Sequence, residues 1–426
     1  MTDSRKFATL AVHAGAAPDP TTGARATPIY QTTSYQFQDV DHAARLFNLQ
    51  EFGNIYSRLT NPTVGVLEER VAALEGGMAA LGVASGHAAQ LIAMHTLLEP
   101  GDEFLASTKL YGGSVNQFGH SFRKMGWSVR FVDPDRPENF RDAMTDRVKA
   151  IFVESLANPG GVVTDIAAVA AIAHEANVPL VVDNTLATPY LCRPIEHGAD
   201  IVVHSVTKFL GGHGNSVGGI IVDSGRFDWK GSGKFPALSE PCDAYHGMTF
   251  TETFGEIAFI IACRAIGLRD LGPALSPMNA FLLLTGIETL PLRMQKHCDN
   301  AMEVARFLRG HDKVSWVSYP GLQDDRYHTL ANKYLENGYG AVLTFGLKGG
   351  YDAGIALVNA VTLHSHLANV GDTRSLIIHP SSTTHRQLSE QQQIAAGAGP
   401  DVVRLSVGIE DVADIIADLE QALAQV

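Results

Sequence analysis

The sequence predicts an α/β protein with a mainly parallel sheet in a large domain and a smaller α+β domain at the C-terminal end. Continuously apolar short segments alternate with helix-like segments over residues 81–222, as in a parallel sheet covered on both faces. A second set of strand-like segments follows residue 310, closed by an amphipathic helix. The length of 426 residues allows two hydrophobic cores.

The first part of the chain predicts an extended arm. Residues 1–62 have weak periodicity and many Thr, Pro, Gly and Tyr residues, with several large apolar side chains among them. These favour an arm that lies on another surface, such as that of a neighbouring subunit, and a frayed tail is the alternative. We therefore expect the arm over 1–62, a large cofactor-binding domain over 63–283 and a small domain over 284–426.

The first strongly signalled helix begins at Asn61-Pro62. Asn suits the position before a helix and Pro its first turn. Apolar residues then recur at helical spacing, and Gly76-Gly77 ends the element.

Beyond this helix, predicted strands alternate with helices. The predicted strands span about 81–84, 103–106, 127–132, 150–153, 178–182, 201–203 and 219–222, and helices span about 88–98 and 165–176. Residues 224–250, rich in Gly, Pro and aromatics, are typical of a loop inserted over a site. Helical segments over 252–309, strands near 314–317, 341–346 and 402–407, and a helix over 411–424 complete the chain.

Composition restricts the class of partner. The net charge of -13 argues against nucleic acid and anionic membranes, which need a basic surface. No apolar run reaches the roughly 20 residues of a membrane helix, and the N-terminus lacks the apolar core of a secretory signal. The four cysteines form no CxxC pair, which excludes a zinc ribbon and does not suggest a disulfide framework. A cytoplasmic protein is predicted.

Chemically suggestive residues follow the predicted strands. Asp183 ends one apolar strand, Lys208 follows the next, and Ser85–His87 joins a strand to a helix, where backbone N–H groups bind anions. Ser205 and Thr207 add hydroxyl groups beside the lysine. Because ligands collect at the carboxyl ends of parallel strands, we expect these groups to meet. A lysine, a phosphate cradle and a carboxylate for a ring nitrogen predict that Lys208 carries pyridoxal phosphate as a Schiff base.

Competing motifs are weaker. GGHGNSVGG lacks the GxGxxG spacing and does not follow the first strand of a βαβ unit, so a nucleotide-dependent oxidoreductase is disfavoured. Neither a Walker A sequence nor HExxH occurs. His364 and His366 fit alternate positions of a short extended segment better than a metal site. No metal is predicted.

At this point the sequence resembles a known family along its whole length. The motifs are TPIYQTTSY, YSRLTNPT, SGHAA, YGG, DNTLATPYLCRPIEHGADIVVHSVTKFLGGHG and RLSVGIED. They resemble the Cys/Met-metabolism enzymes that depend on pyridoxal phosphate, a branch of the aspartate-aminotransferase-like superfamily. The resemblance implies the type I fold of that superfamily, with a large cofactor domain and a small C-terminal domain.

The resemblance also implies roles for the residues around the cofactor. It makes Lys208 the Schiff-base lysine and proton shuttle and Asp183 the partner of the pyridinium nitrogen. The phosphate would be bound by Gly86, His87, Ser205 and Thr207. Position 87 is usually a neutral residue in the family. A protonated His87 would add attraction for phosphate or perturb the face of the cofactor, and the alternative is a tolerated side chain without a special role.

Five further residues acquire roles only through the resemblance. Tyr56 and Arg58 would reach the phosphate of a neighbouring subunit, and Tyr111 would stack on the ring and assist proton transfer. Asn158 would lie near the cofactor's phenolic oxygen and the substrate, while Arg404 would clamp the substrate carboxylate. Dimers that share active sites, paired into tetramers, are implied.

The resemblance implies γ-replacement on an O-acylhomoserine. The segments GKFPALSEP…YHG and NVGDTRSLIIHPSSTTH favour O-acetylhomoserine, with sulfide or methanethiol giving homocysteine or methionine plus acetate. Alternatives within the family are use of O-succinylhomoserine, as in a sulfhydrylase or cystathionine γ-synthase, and methionine γ-lyase activity. A catalytically inactive binding or regulatory protein on the same scaffold is an alternative of another class.

Overall fold

The computed structural model describes residues 5–157, 161–384, 386, 389–395 and 397–426. In these residues the strands are Ala79–Val83 (β1), Glu103–Ser107 (β2), Ser128–Val132 (β3), Val148–Glu154 (β4), Leu156–Ala157 (β5), Val162–Val163 (β6), Leu180–Asp183 (β7), Ile201–His204 (β8), Gly219–Asp223 (β9), Val314–Ser318 (β10), Val342–Leu347 (β11), Ser365–His366 (β12), Leu376–Ile378 (β13) and Val402–Ser406 (β14).

Helices precede, separate and follow these strands in the sequence of the described residues. The α-helices are Phe7–His13 (α1), Val40–Phe47 (α2), Pro62–Glu75 (α3), Gly86–Leu97 (α4), Gly112–Asn116 (α5), Glu138–Asp142 (α6), Ile166–Glu175 (α7), Thr188–Leu191 (α8), Pro236–Ser239 (α9), Phe250–Phe254 (α10), Ala258–Ala262 (α11), Arg269–Leu271 (α12), Pro277–Glu288 (α13), Leu290–Gly310 (α14), His328–Tyr334 (α15), Gly350–Ala360 (α16), Glu390–Ala395 (α17) and Val412–Leu423 (α18). Short 3₁₀ or π turns are Gln117–Ser121, Phe122–Met125, Pro194–His197, Asp243–Tyr245, Gly255–Ile257, Cys263–Leu268 and Pro380–Ser382. Across these ranges, no helix combines the length and apolarity needed to span a membrane.

Two sheets organise the chain. The larger has the strand order β1-β9-β8-β7-β4-β2-β3, with parallel pairing from β8 to β3 and antiparallel pairing of β9 to both of its neighbours. The smaller has the order β10-β11-β14-β13-β12. The prediction of a mainly parallel sheet followed by a smaller C-terminal sheet is therefore confirmed.

The central strands are apolar throughout because both faces of the large sheet are buried. Val181 of β7 belongs to one hydrophobic cluster, while Leu180 and Val182 belong to the other. In β8, Val203 and Val202 divide between the two clusters in the same way. Successive side chains of a strand point to opposite faces, so helices on both sides must cover them.

The predicted first helix forms as its sequence indicates. The side chain of Asn61 accepts hydrogen bonds from the backbone N–H groups of Thr63 and Val64, and Pro62 occupies the first helical position. Gly76 follows α3 with a φ of 75°, a left-handed conformation that glycine adopts without strain.

The N-terminal arm folds against its own chain. The backbone N–H of Tyr30 donates to Thr63 Oγ1, and Arg264 donates to the carbonyl of Leu59. The predicted domain boundary at residues 283 and 284 falls within α13, so the division into an arm and two domains stays a proposal.

The insertion over residues 224–250 differs from its prediction. Trp229 stacks on Phe259, and Lys234 donates to the carbonyl of Val148 at the first residue of β4. Tyr245 donates to the carbonyl of Ala265. The insertion thus packs beside α11 and the amino-terminal edge of the sheet, although its composition indicated a loop over the site.

Candidate active site

A cavity of about 310 Å³ lies at the carboxyl edge of the large sheet. The segments that follow β1, β4, β7 and β8 reach this edge together, because these four strands run in the same direction. All residues of the insertion 224–250 are described and none lines the cavity. Eight of the predicted site residues line it: Gly86, His87, Tyr111, Asp183, Ser205, Thr207, Lys208 and Arg404.

The amino-terminal end of α4 forms one wall. Ser85 caps the helix by accepting a hydrogen bond from the N–H of Ala88 at 3.1 Å. Gly219 packs so closely that an added Cβ would collide with the carbonyl oxygen of Ser85. Gly86 lies similarly close to the Ser205 loop, where an added Cβ would be 2.7 Å from Ser205 Cβ. The backbone N–H groups of the helix end therefore face the hydroxyl-bearing loop across a short gap.

Asp183 presents a carboxylate whose two oxygens are both held. Oδ1 accepts from the N–H of Thr185 at 3.0 Å, and Oδ2 accepts from Gln90 Nε2 at 3.3 Å. Thr185 in turn accepts from the N–H of Ser205 at 2.8 Å, which ties the end of β7 to the loop after β8.

Lys208 extends into the cavity from the loop that follows β8. Its Nζ donates to Asn369 Oδ1 at 2.6 Å. Burial lowers the pKa of Lys208, and the charge of Arg404 lowers it further. The buried guanidinium of Arg293 on α14 donates to the carbonyls of Phe209 and Leu210, which holds the loop in place.

Arg404 comes from β14, so the smaller sheet contributes to the same cavity. Its Nη2 donates to the main-chain oxygen of Asn369 at 3.2 Å. Burial lowers the pKa of Arg404 to about 10, which still leaves it charged at neutral pH. A partly buried guanidinium of this kind can bind a carboxylate through two hydrogen bonds.

Tyr111 and His87 form the open side of the cavity. Tyr111 is 49% exposed, and its backbone N–H donates to Glu154 Oε1 at 2.6 Å. The ring centroids of Tyr111 and His87 are 5.9 Å apart with a tilt of 54° between the rings. Gly113 packs under the Tyr111 ring. The backbone of Tyr111 is therefore fixed by Glu154, while its half-exposed ring lies beside His87 and Gly113.

Two of the predicted residues, Tyr56 and Arg58, do not reach the cavity of their own chain. Arg58 donates to the carbonyl of Arg269 at 2.8 Å and lies beside the 42% exposed Tyr56. Asn158 lies outside the described residues.

Other lining residues are not singled out by the sequence. Gln90 bridges Asp183 and Ser114, Asn369 contacts Lys208, and Glu154 holds Tyr111. Glu154 ends an apolar strand just as Asp183 does, so the same signal could have identified it. The two amides carry no comparable pattern.

A buried polar network supports the strand ends from behind. His204 Nε2 is 2.6 Å from Glu75 Oε1, and neither side chain has measurable exposure. Asn184 donates to the same Glu75 oxygen and accepts from Ser155 Oγ. Asn184 directly follows β7 and His204 ends β8, and they are adjacent in sequence to the cavity residues Asp183 and Ser205. The network therefore fixes the spacing of the two strand ends.

The donor set of the cavity fits pyridoxal phosphate. A helix N-terminus with two nearby hydroxyls suits a phosphate, a held carboxylate suits a protonated ring nitrogen, and a lysine amine suits an aldehyde. Gln90, which lines the cavity, has a buried Oε1 without a hydrogen-bond partner among the described residues, as expected beside a polar ligand. Fold and site together define the class of pyridoxal-phosphate enzymes with an α/β cofactor domain.

Comparison with known proteins identifies the family. The model of the Cys/Met metabolism PLP-dependent enzymes matches residues 8–424. The chain belongs to this family and its cofactor is pyridoxal 5'-phosphate. It is 55% identical over 427 residues to an O-acetyl-L-homoserine sulfhydrylase of Leptospira meyeri, covering 98% of this chain and 96% of the relative. It is 52% identical over 423 residues to a homocysteine synthase of Schizosaccharomyces pombe, covering 99% of each.

A solved structure shares the whole fold. The putative O-acetylhomoserine (thiol)-lyase of Campylobacter jejuni superposes with a TM-score of 0.95 at 40% identity, covering 99% of this chain and 100% of that one. That crystal structure contains N'-pyridoxyl-lysine-5'-monophosphate. The expected type I fold, the enzyme class and the cofactor are thus confirmed.

Proposed function

We propose that this enzyme catalyses γ-replacement on O-acetyl-L-homoserine, in which sulfide or methanethiol replaces acetate to give L-homocysteine or L-methionine. The observation that carries the proposal is the cavity that joins Lys208, Asp183 and Arg404 to a helix N-terminus. The substrate follows from relatives that are 52–55% identical and are named O-acetyl-L-homoserine sulfhydrylase and homocysteine synthase.

The cofactor residues are assigned by chemistry. The N–H groups of Gly86 and His87 and the hydroxyls of Ser205 and Thr207 would bind the phosphate. Asp183 would keep the ring nitrogen protonated, supported by the donors that hold its carboxylate in place. The bound cofactor supplies an electron sink for negative charge that develops on the substrate.

Tyr111 would cover the face of the cofactor ring and assist proton transfer. Its exposed ring borders the cavity, and the hydrogen bond from its backbone N–H to Glu154 fixes the position of its main chain. Asn158 is proposed to contact the substrate beside the cofactor.

Lys208 and Arg404 act on the substrate. Arg404 would bind its carboxylate with two parallel hydrogen bonds and so orient the Cα–H bond. Lys208, once its amine is free, would remove the Cα proton, a step that needs the neutral amine. The lowered pKa of Lys208 increases the neutral fraction at physiological pH.

The bond changes balance without a further reactant. Loss of a proton from Cβ accompanies cleavage of the Cγ–O bond, and the electron pair leaves with acetate. The thiol sulfur then bonds to Cγ, and the protons removed from the substrate return to carbon. The proton of the thiol neutralises the acetate.

Tyr56 and Arg58 would bind the phosphate of a neighbouring subunit, so the enzyme would be a homo-oligomer of dimers with shared sites, paired into tetramers. Two observations support this: both residues lie away from the cavity of their own chain, and Tyr56 is exposed. A cytoplasmic location also stays a prediction.

Steady-state kinetics with four substrate pairs test the function. O-Acetyl- and O-succinyl-homoserine are each combined with sulfide and with methanethiol, and homocysteine, methionine and acetate are measured. We expect the largest kcat/KM with O-acetylhomoserine. Succinyl preference would indicate the alternative transferases, and 2-oxobutanoate with ammonia as main products, even with sulfide present, would indicate a lyase and contradict the proposal.

A further inference from the structure

Asn369 lies between two groups that the proposed reaction needs. Its side-chain oxygen accepts from Lys208 Nζ at 2.6 Å, and its main-chain oxygen accepts from Arg404 Nη2 at 3.2 Å. We propose that Asn369 is a positioning residue, whose side-chain amide holds the free amine of Lys208 during proton transfer. This inference rests on the role of Lys208 in the proposed function.

The backbone that carries Asn369 is docked against the lysine loop. Gly371 donates to Ser406 Oγ at 2.9 Å and has a φ of 78°. A Cβ at Gly371 would lie 2.9 Å from the carbonyl carbon of Lys208. Thr373 donates to the carbonyl of Gly212 at 2.9 Å. These contacts fix the distance between Asn369 and Lys208 through the main chain, independently of either side chain.

The contact determines how the amine can act. An amide oxygen only accepts hydrogen bonds, so one N–H of Lys208 must point at Asn369. When the amine is neutral, its single lone pair is then directed away from Asn369, which leaves it available to a substrate proton. When the amine is protonated, the hydrogen bond becomes charge-assisted and stronger. Asn369 thereby opposes the burial and the Arg404 charge that lower the proton affinity of Lys208.

Substitution of the Asn369 side chain tests the proposed base Lys208 separately from Arg404, the proposed binding residue for the substrate carboxylate. Within the described residues, Asn369 Oδ1 is the hydrogen-bond acceptor of Lys208 Nζ. Asn369→Ala removes this acceptor, whereas Arg404 keeps its bond to the main-chain oxygen of residue 369. The substitution should therefore slow proton transfer by a larger factor than it weakens substrate binding.

Exchange of the Cα proton of L-norvaline with D₂O, followed by NMR on the holoenzyme, isolates this step. Norvaline has no leaving group, so exchange needs the cofactor and Lys208 and does not need a thiol. We expect Asn369→Ala to retain cofactor absorbance, to slow exchange about 10- to 100-fold at saturation and to change KM less than about threefold. Asn332→Ala is the matched control, since it removes a surface amide oxygen that accepts from Tyr339 Oη, and it should exchange at the wild-type rate.

Asn369→Asp should shift the pH profile of exchange, a change that is not expected if Asn369 has only a structural role. It keeps an acceptor oxygen and adds a negative charge, which favours the protonated amine. We expect it to recover most of the exchange rate at its optimum, with the acid limb of the pH profile moved upward by about one unit or more.

The outcomes distinguish this inference from the proposed function. Wild-type exchange rates in Asn369→Ala, an unshifted profile in Asn369→Asp, or loss of bound cofactor as the cause of slow exchange would each overturn the role of Asn369. Homocysteine formation from O-acetylhomoserine is measured in parallel. A wild-type enzyme that exchanges norvaline but forms no homocysteine contradicts the proposed function alone, and one that neither exchanges norvaline nor forms homocysteine contradicts both.

Discussion

The proton affinity of Lys208 is set by its immediate neighbours. Burial and the charge of Arg404 lower the pKa of the amine below its ordinary value of 10.5. A group with a lowered pKa loses its proton at lower pH, so more of the amine is neutral and able to act as a base. Arg404 therefore lowers the pKa of Lys208 from the same position in which it is proposed to bind the substrate carboxylate.

Arg404→Gln tests both effects. Without the cation, the pKa of Lys208 rises, and the acid limb of the kcat–pH profile should move to higher pH. Loss of the charged hydrogen bonds should raise KM for O-acetylhomoserine about 10- to 100-fold. Arg404→Lys is the control: it keeps the charge and the position of the acid limb, but it loses the two-bond geometry and the low KM. Identical profiles in both variants and the wild type would contradict the electrostatic role.

Site residues differed in how visible they were in the sequence. Asp183 and Lys208 could be identified because they follow predicted strands in combination with the Ser85–His87 segment, although each pattern is weak when taken singly. Asn369 is not visible, since it lies 161 residues from Lys208 and meets it only through the folded small sheet. Gln90 is also hidden, because a glutamine within a helix more often faces solvent.

At the scale of elements, the position of α4 depends on β9. Gly219, the first residue of β9, pairs with Val83 at the end of β1 and leaves no space beside Ser85. A side chain there would push the amino-terminal end of α4, and with it the proposed phosphate site, away from the sheet.

Gly219→Ala should weaken cofactor binding by about tenfold or more, because overpacking at such a contact costs about 1–3 kcal/mol. Titration of the apoenzyme with pyridoxal phosphate measures this. Gly65→Ala is the control, since Gly65 lies within α3 with no atom near the added Cβ. Equal cofactor affinity in both variants would show that the close packing is not needed.

Helix α14 connects the lysine loop to the smaller sheet. His297 is fully buried, donates through Nδ1 to the carbonyl of Val407 at 2.6 Å, and packs edge-on against Phe209. Burial lowers the pKa of His297 from 6.5 to about 4. Between these values the unfolded chain binds a proton that the folded chain does not, so stability falls as the pH decreases.

His297→Asn should therefore flatten the acid dependence of stability. The wild type should lose about 3 kcal/mol of unfolding free energy between pH 6.5 and 4 through this residue alone, with no further loss from it below that range. Urea unfolding at several pH values measures the slope. The exposed His120→Asn variant controls for the loss of one histidine, and an equal slope in His297→Asn and wild type would contradict the buried neutral state.

Most strands and helices were predictable, but their ends were not. The end of β7 at Asp183 agrees with the prediction, but β4 and β8 extend to Glu154 and His204, polar residues that hydrophobic patterns do not include. Helix α4 starts at Gly86 because Ser85 caps it. The apolar pattern begins only at Ala88, so the predicted helix started two residues too late. Two-residue strands such as β12 are too short to leave a pattern.

At the scale of the molecule, the cavity is shared between both sheets: Asp183 and Lys208 come from the larger, and Arg404 and Asn369 from the smaller. The meeting of Arg404 with Lys208 was expected only through the family resemblance. The sheet order could not be predicted from the sequence pattern, because β9 is inserted beside β1, far away in the chain. The surface covered by residues 224–250 was predicted wrongly, since a composition rich in aromatics does not specify which surface a loop packs on.

Shared sites are tested with mixed oligomers. Lys208→Ala chains lack the cofactor lysine, and Arg58→Ala chains lack the proposed phosphate contact to the neighbour. If sites are shared, a hybrid dimer has one intact site, so random mixing of the two should recover about a quarter of wild-type activity. Activity no greater than the average of the separate variants would contradict the shared site.

The most direct test of the account is where the cofactor attaches. Holoenzyme is reduced with borohydride, which makes the link between cofactor and lysine permanent, and its peptides are analysed by mass spectrometry. We predict one pyridoxyl phosphate group per chain, on the peptide that contains Lys208. A group attached to a different lysine, or stable cofactor binding without attachment, would contradict the central role of Lys208.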